Sequence, residues 1–235
     1  MKTFKPPIGI LYGSALCMIL FFMQACSTTP ERAVSREQNP RIATDTMLVL
    51  PFQNMTEIYG EGEHVKSPLS NRFYLAGKIE ADGEDYLNGK LRDLLEKRKD
   101  FRVISPEDQG DALIKESSGH FENSVSIQQL VEMAGKAGAD CVLVGYVYKY
   151  SDRVGNTMSV SSAASVAFEL FLISTKNNSV IWSACFSETQ KSLSEDLTKI
   201  NKVIQRGVKW ITVQEMAGAA LTQLIGEIPE NNANY

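Results

Sequence analysis

Histidine and tryptophan are scarce in this 235-residue chain, with two of each, and cysteine occurs only four times. With only His64 and His120 available, and no CxxC or Cys/His cluster, a zinc site has no ligand set. Basic excess is missing as well. The net charge is −4, which argues against nucleic acid as a partner, because that would call for a basic face. Catalytic signatures are equally absent: there is no nucleophile elbow, no HExxH and no serine–lysine pair. Gly83 to Lys90 fails as a phosphate loop. Five residues separate Gly83 from Gly89, and Leu91 stands where the Walker pattern needs Ser or Thr. No cofactor is expected.

The one long uncharged run lies at the N-terminus. Lys2 and Lys5 precede a mostly apolar stretch from Ile8 to Phe22, then Met23-Gln24-Ala25-Cys26-Ser27, with no charge between Lys5 and Glu31. Two cations, an apolar core and a small residue before the cut make a secretory signal. A cysteine as the first mature residue makes it the lipoprotein version, in which the thiol of Cys26 takes a diacylglycerol. The alternative is an N-terminal membrane span ending at Cys26, and Pro6, Pro7, Gly9 and Gly13 make a poor one. Ser27 stands where an aspartate favours retention in the inner membrane of Gram-negative bacteria. The expected address is therefore the outer membrane, periplasmic side, held by acyl chains (palmitate and diacylglycerol) and no spanning helix.

Three zones follow: residues 1–25 as signal peptide, 26–45 as lipidated cysteine and flexible tether, and 46–235 as a periplasmic domain. The tether is polar throughout, with almost no apolar residue. Removing residues 1–25 takes away Lys2 and Lys5 and no acid, leaving a charge of −6. It also removes Cys17. With Cys26 acylated, only Cys141 and Cys185 remain. They could pair in an oxidising compartment, or each could serve as a small hydrophobe within its apolar run.

Within the domain, Thr46 to Phe52 reads as a short strand closed by Pro51, and residues 53–82 as a long irregular loop, which is more often functional than accidental. Leu87, Leu91, Leu94 and Leu95 place a helix over about 82–99. Phe101 to Ile104 is a brief strand. Ser105-Pro106 opens a further helix, and Ser126 with Gln129 is a capping box for another, ending at Gly138. Residues 140–150 form an apolar run suited to a central strand buried on both faces. On it Tyr146, Tyr148 and Tyr150 alternate as one row, read as core lining rather than interface. Val166, Phe168, Leu170 and Leu172 alternate in the first arm of a hairpin that turns at Lys176-Asn177-Asn178. Two last helices are capped by Ser192 with Glu195 and by Thr212 with Glu215. Strands and helices mix without strict alternation, so the expected fold is α/β (α+β): one mixed sheet of about five strands with helices packed on it.

Few residues invite a role. Glu61, Glu63, Glu80, Asp82, Glu84 and Asp85 cluster in and after the long loop. Paired carboxylates serve glycosidases, but a solvated acidic loop explains them more simply. His120 reads as a surface histidine. Lys97-Arg98-Lys99 ends a helix, where cations complement the dipole.

Met47-Leu-Val-Leu-Pro-Phe-Gln-Asn54 resembles the "VLPFxN" first strand of a group of envelope lipoproteins, Ala139 to Gly145 their "GADxVLxG" strand, and Val166 to Ser183 their Trp-ended hairpin, with Asn177-Asn178 in place of the turn glycine. The group spans curli-secretion, Pel exopolysaccharide and peptidoglycan-synthase-activating lipoproteins, and the resemblance covers roughly 46–226. It implies an anticodon-binding-like α/β domain that is not an enzyme and works through protein contacts, often as a homo-oligomeric ring. The chain shows no pair of long alternating hairpins able to wall a barrel, which argues against a self-inserted pore.

The leading expectation is thus a non-catalytic outer-membrane lipoprotein assisting assembly or export of an envelope component, polysaccharide or protein. Its partners would be envelope or secretion proteins, further copies of itself, and the membrane through its anchor. Tyr59, Phe73 and Tyr74 in the long loop are the candidate interaction residues. A cell-wall glycan-binding module or activator of peptidoglycan synthesis is the alternative, and a small-ligand sensor a third.

Overall fold

The computed structural model of this protein describes residues 31–36, 46–109, 126–155, 160–190 and 211–230. The signal peptide, Cys26, His120 and the helix expected after Ser192 lie outside the described residues.

One mixed sheet organises the chain. Its path runs β1 (Glu31–Arg36), β11 (Ser179–Thr189), β10 (Ser165–Ser174), β7 (Cys141–Ser151), β2 (Thr46–Val49) and β6 (Arg102–Ile104), and β3 (Gln53–Asn54) pairs with β7 beyond the end of β2. β2 lies parallel to both β6 and β7, while β7, β10, β11 and β1 run antiparallel in turn. The remaining strands form two small ribbons, β4 (His64–Lys66) with β5 (Phe73–Leu75) and β8 (Val154–Gly155) with β9 (Val160–Ser162). The four described α-helices are α1 (Met55–Tyr59), α2 (Gly83–Glu96), α3 (Ile127–Lys136) and α4 (Val213–Gly226).

Both faces of the sheet are covered, which explains the unbroken apolar run of β7: ten of its eleven residues are buried. On the first face α2 contributes Leu87, Leu91 and Leu95, and α4 contributes Met216, Ala217, Leu221, Leu224 and Ile225, against Phe52, Val147, Phe168, Leu170 and Trp182. Each such buried aliphatic side chain stabilises the fold by roughly 1.5–3 kcal/mol. On the second face α3 sets Leu130, Met133 and Ala134 against Leu48, Val142, Val144 and Ile173, and α1 with the β4–β5 ribbon covers Tyr146, Tyr148 and Phe171.

The Leu-Pro-Phe-Gln-Asn segment is a compact joint. Pro51 has no N–H to give the ladder, so the last bond of this stretch to β7 is from the Leu50 N–H to the Leu143 carbonyl, and pairing resumes at Gln53 against Tyr146. Between them Phe52 turns its ring edge onto Phe168, with centroids 5.9 Å apart, and lies over Gly145. Asn54 then caps α1 by accepting from Glu57 N–H and donates to Glu84 at 2.7 Å.

Helix ends follow the sequence closely. Among the described residues the expected capping boxes are formed, at Ser126 with Gln129 and at Thr212 with Glu215. Gly138 adopts φ +68° after α3, and Asn178 stands at φ 51° in the β10–β11 turn, a conformation asparagine adopts more readily than most residues. Arg98 does more than complement its own helix dipole. Its guanidinium donates to the Ile225 and Ile228 carbonyls at the end of α4 and pairs with Asp100, tying the ends of α2 and α4 together.

Several expectations are corrected. The sheet has seven strands against about five expected, because β1 is polar and β3 is only two residues long. Within the segment read as a tether, residues 31–36 form β1: β11 would otherwise be an edge, and a polar strand satisfies its free backbone groups as well as an apolar one. The loop over 53–82 contains β3, α1, β4 and β5. The described part of the segment opened by Ser105-Pro106 is a 3₁₀ turn, Pro106–Gln109, with Asp108 accepting from the Ser105 N–H; residues 110–125 lie outside the described residues. The three tyrosines of β7 are core, yet they do not share a face. The register against β10 slips between Ala167 and Phe168, so Tyr146 and Tyr148 point to the second face while Tyr150 points to the first.

Candidate functional site

The β4–β5 ribbon is where the chain places polar chemistry inside the fold and apolar side chains outside it. His64 pairs with Leu75, Val65 with Tyr74 and Lys66 with Phe73. Alternation in so short a ribbon sends Val65 and Tyr74 inward and the other four outward. Phe73 is 68% exposed and Leu75 50%. Two hydrogen bonds fix the end of the ribbon: Gly77 N–H donates to the Tyr148 carbonyl at 2.9 Å, and the Thr56 hydroxyl donates to the Gly77 carbonyl at 2.8 Å.

Beneath the ribbon Tyr74 stacks on Tyr148 with ring centroids 4.0 Å apart and planes 13° from parallel. Tyr148 Oη donates to Glu169 Oε2 at 2.9 Å, and Ser70 Oγ, in the turn between β4 and β5, donates to Glu169 Oε1 at 2.9 Å. Each carboxylate oxygen thus has its own donor. Ser67 Oγ in turn accepts from Ser70 N–H, which shapes that turn. Glu169 is only 2% exposed. A carboxyl group in the middle of an apolar strand is costly unless hydrogen-bonded, and the two donors offset that cost while fixing the ribbon over one part of the sheet. Burial pushes the Tyr74, Tyr146 and Tyr148 hydroxyls well above the ordinary tyrosine range, and the Glu169 carboxylate adds to the effect for each.

Chemically this is a clasp. Its carboxylate and tyrosines are enclosed, while its outer side presents Phe73, Leu75, Lys66 and His64. Glu169 escaped the sequence reading, although its signal was there: one acid at an inward position of an otherwise apolar strand. Of the three expected interaction residues, Tyr59, at the end of α1, and Phe73 are exposed, and Tyr74 is not, at 6%. Strand alternation turns it under the ribbon, so Tyr74 leaves the surface and joins the core.

The other singled-out groups do not converge. Glu80 pairs with Lys78, Asp82 accepts from Gln214, and Glu84 accepts from Asn54; each of these three carboxylates is engaged separately. Among the described residues no group of three His, Cys, Asp or Glu side chains is arranged to hold a metal. A cleft of about 540 Å³ lies between the ends of α2 and α4, with Lys97 and Lys99 at its rim and Arg98 committed to carbonyl groups. Cys141 and Cys185 are both buried thiols. Cys141 lies opposite Ser174, and Cys185 opposite Glu169, on the two strands flanking β10. They are therefore two strands apart and five residues apart along the sheet, about 17 Å in that direction. A disulfide needs Cα atoms within about 7 Å, so these cysteines do not pair.

No protein-family model matches the chain, and no curated protein matches it in sequence. Solved structures of similar fold include the PelC dodecamer from Paraburkholderia phytofirmans, at 15% identity and a TM-score of 0.42, with 84% of this chain and 96% of that one covered. The LpoB C-terminal domain from Escherichia coli is similar at 16% identity and a TM-score of 0.36, covering 74% of this chain and 94% of that one. Lipoprotein GNA1162 from Neisseria meningitidis is similar at 16% identity and a TM-score of 0.35, covering 69% and 96%. These likenesses are of fold, at low sequence identity.

Proposed function

We propose that this protein is a non-catalytic, lipid-anchored component of the outer membrane that assists assembly or export of an envelope component through contacts made by the segment from α1 to β5. The observation that carries this reading is the clasp: the acid–tyrosine cluster is enclosed beneath a ribbon that holds Phe73 and Leu75 out to solvent. A reaction centre needs its titrating groups open to a substrate; a contact element needs rigid support beneath apolar side chains. Support for the anchor comes from the N-terminal sequence, where Ala25-Cys26 follows two lysines and an apolar run. Among the described residues no helix is long and apolar enough to cross a membrane. Attachment in this reading rests on Cys26. A homo-oligomeric ring is the assembly this reading carries forward.

The test is a photo-crosslinking amino acid in place of Tyr59 in the anchored protein, read by mass spectrometry. A discrete adduct with a second copy or with another envelope protein is expected. Turnover of muropeptides or oligosaccharides by the purified protein would overturn the non-catalytic reading.

A further inference from the structure

Four of the largest exposed apolar side chains gather at one end of the sheet. Phe73 and Leu75 share a small cleft with Ser187, Glu188 and Thr189 at the end of β11. Val154, 55% exposed, lies three residues beyond the end of β7. Ile211 immediately precedes the cap of α4, whose first residue, Val213, has its N–H 3.4 Å from Asp152 just beyond β7. The ends of β7 and β11 and the start of β10 are level with one another, since Ser165 pairs with both Ser151 and Thr189.

The chain also enters the fold at this end. β1 begins with Glu31 opposite Ser187, and Cys26 lies five positions earlier. Five residues span at most about 17 Å when fully extended. An acyl chain on Cys26 would therefore hold this end of the domain, and no other, within reach of the bilayer. The opposite end, marked by Lys176 in the β10–β11 turn, is about 34 Å away along the ten residues of β10.

We infer that this end of the domain is a membrane-docking face, with Phe73, Leu75, Val154 and Ile211 resting in the interface of the bilayer that carries the Cys26 anchor. The inference rests on the lipid anchor of the proposed function and adds the face that the anchor presents. An aromatic and aliphatic residues at the water–lipid boundary with a cation beside them are the side chains such an interface takes. Here Lys66 lies opposite Phe73. The acyl chains on Cys26 already hold the protein at the bilayer, and a docked apolar face fixes the orientation of the sheet against it. On this reading the contact segment from α1 to β5 is shared, with Phe73 and Leu75 of the ribbon meeting the bilayer and Tyr59 of α1 meeting protein partners.

The experiment uses the full chain, acylated in its own membrane pathway, with an environment-sensitive fluorophore on Phe73→Cys, Leu75→Cys, Val154→Cys, Ile211→Cys or Lys176→Cys. Cys141 and Cys185 are buried and stay unlabelled in the folded protein. Each labelled protein is reconstituted into vesicles of phosphatidylethanolamine with a minority of phosphatidylglycerol. The first four labels are expected to shift to shorter wavelength and to be quenched by spin-labelled lipid, and the label at 176 to do neither. Water-like emission at all five positions in vesicle-bound, acylated protein overturns the docking face and leaves the anchor standing. A shift already present without vesicles and rising with protein concentration shows contact with a second copy and overturns it too. An intact mass without acyl groups on Cys26 overturns the anchor, and the inference with it.

Discussion

Glu169 and Ser70, ninety-nine positions apart in the chain, meet at 2.9 Å where the β4–β5 ribbon lies on the sheet. One oxygen of the buried carboxylate faces this turn and the other faces Tyr148 on the neighbouring strand. The placement of every outward residue on the ribbon depends on that junction.

Removing one donor should therefore loosen the ribbon without unfolding the sheet. Tyr148→Phe and Ser70→Ala are each expected to cost about 1.5–3 kcal/mol, the range for a hydrogen bond to a charged group. The double variant should fall short of or exceed the sum, because both donors serve one carboxylate. Urea unfolding measures the cost, and amide exchange in residues 64–75 should rise first.

Alkaline pH should destabilise the protein steeply. Tyr74, Tyr146, Tyr148 and Tyr150 are all held above the usual tyrosine value, chiefly by burial. Unfolded tyrosines release their protons near pH 10 while the folded ones keep theirs. Their contribution is therefore fully present below about pH 10 and is lost as pH rises beyond it, by about 1.4 kcal/mol per pH unit for each group. Tyrosinate absorbance should accordingly appear in two steps. The exposed tyrosines come first, and the buried ones only together with the loss of circular dichroism.

Thiol counting should find two free thiols in mature, unreduced, denatured protein. The spacing of Cys141 and Cys185 across β10 forbids a bridge. A count of zero would show that the strand register is wrong.

Gly145→Ala should destabilise despite adding a single methyl group. A Cβ there would sit 2.5 Å from the ring of Phe52, which is itself held between Asn88, which accepts its N–H, and Phe168. Overpacking of this kind costs about 1–3 kcal/mol. Thermal unfolding reads it, and Phe52→Leu combined with Gly145→Ala should recover part of the loss.

Much of the fold was legible in the chain because long periodic elements carry their own signal. The leucines of α2, the capping boxes at Ser126 and Thr212, the buried run of β7 and the alternation of β10 all fall where their patterns place them. What escaped was decided by tertiary context. β1 is polar and pairs only because β11 offers a free edge; β3 and the β4–β5 ribbon are two or three residues long, below the reach of any period. The slip beside Tyr148 cannot be seen in a sequence whose tyrosines alternate perfectly. At the candidate site Phe73 and Tyr59 were readable as apolar residues in a loop. Tyr74 was misplaced because only the ribbon's alternation distinguishes it from Phe73, and Glu169 because its partners lie 21 and 99 positions away.

The account turns on Cys26, and intact mass spectrometry of the protein extracted from its own membranes tests it most directly. The expected mass is that of a chain beginning at Cys26, with residues 1–25 removed and acyl groups added. A chain that keeps residues 1–25, or one cut before Cys26 without acyl groups, would contradict it.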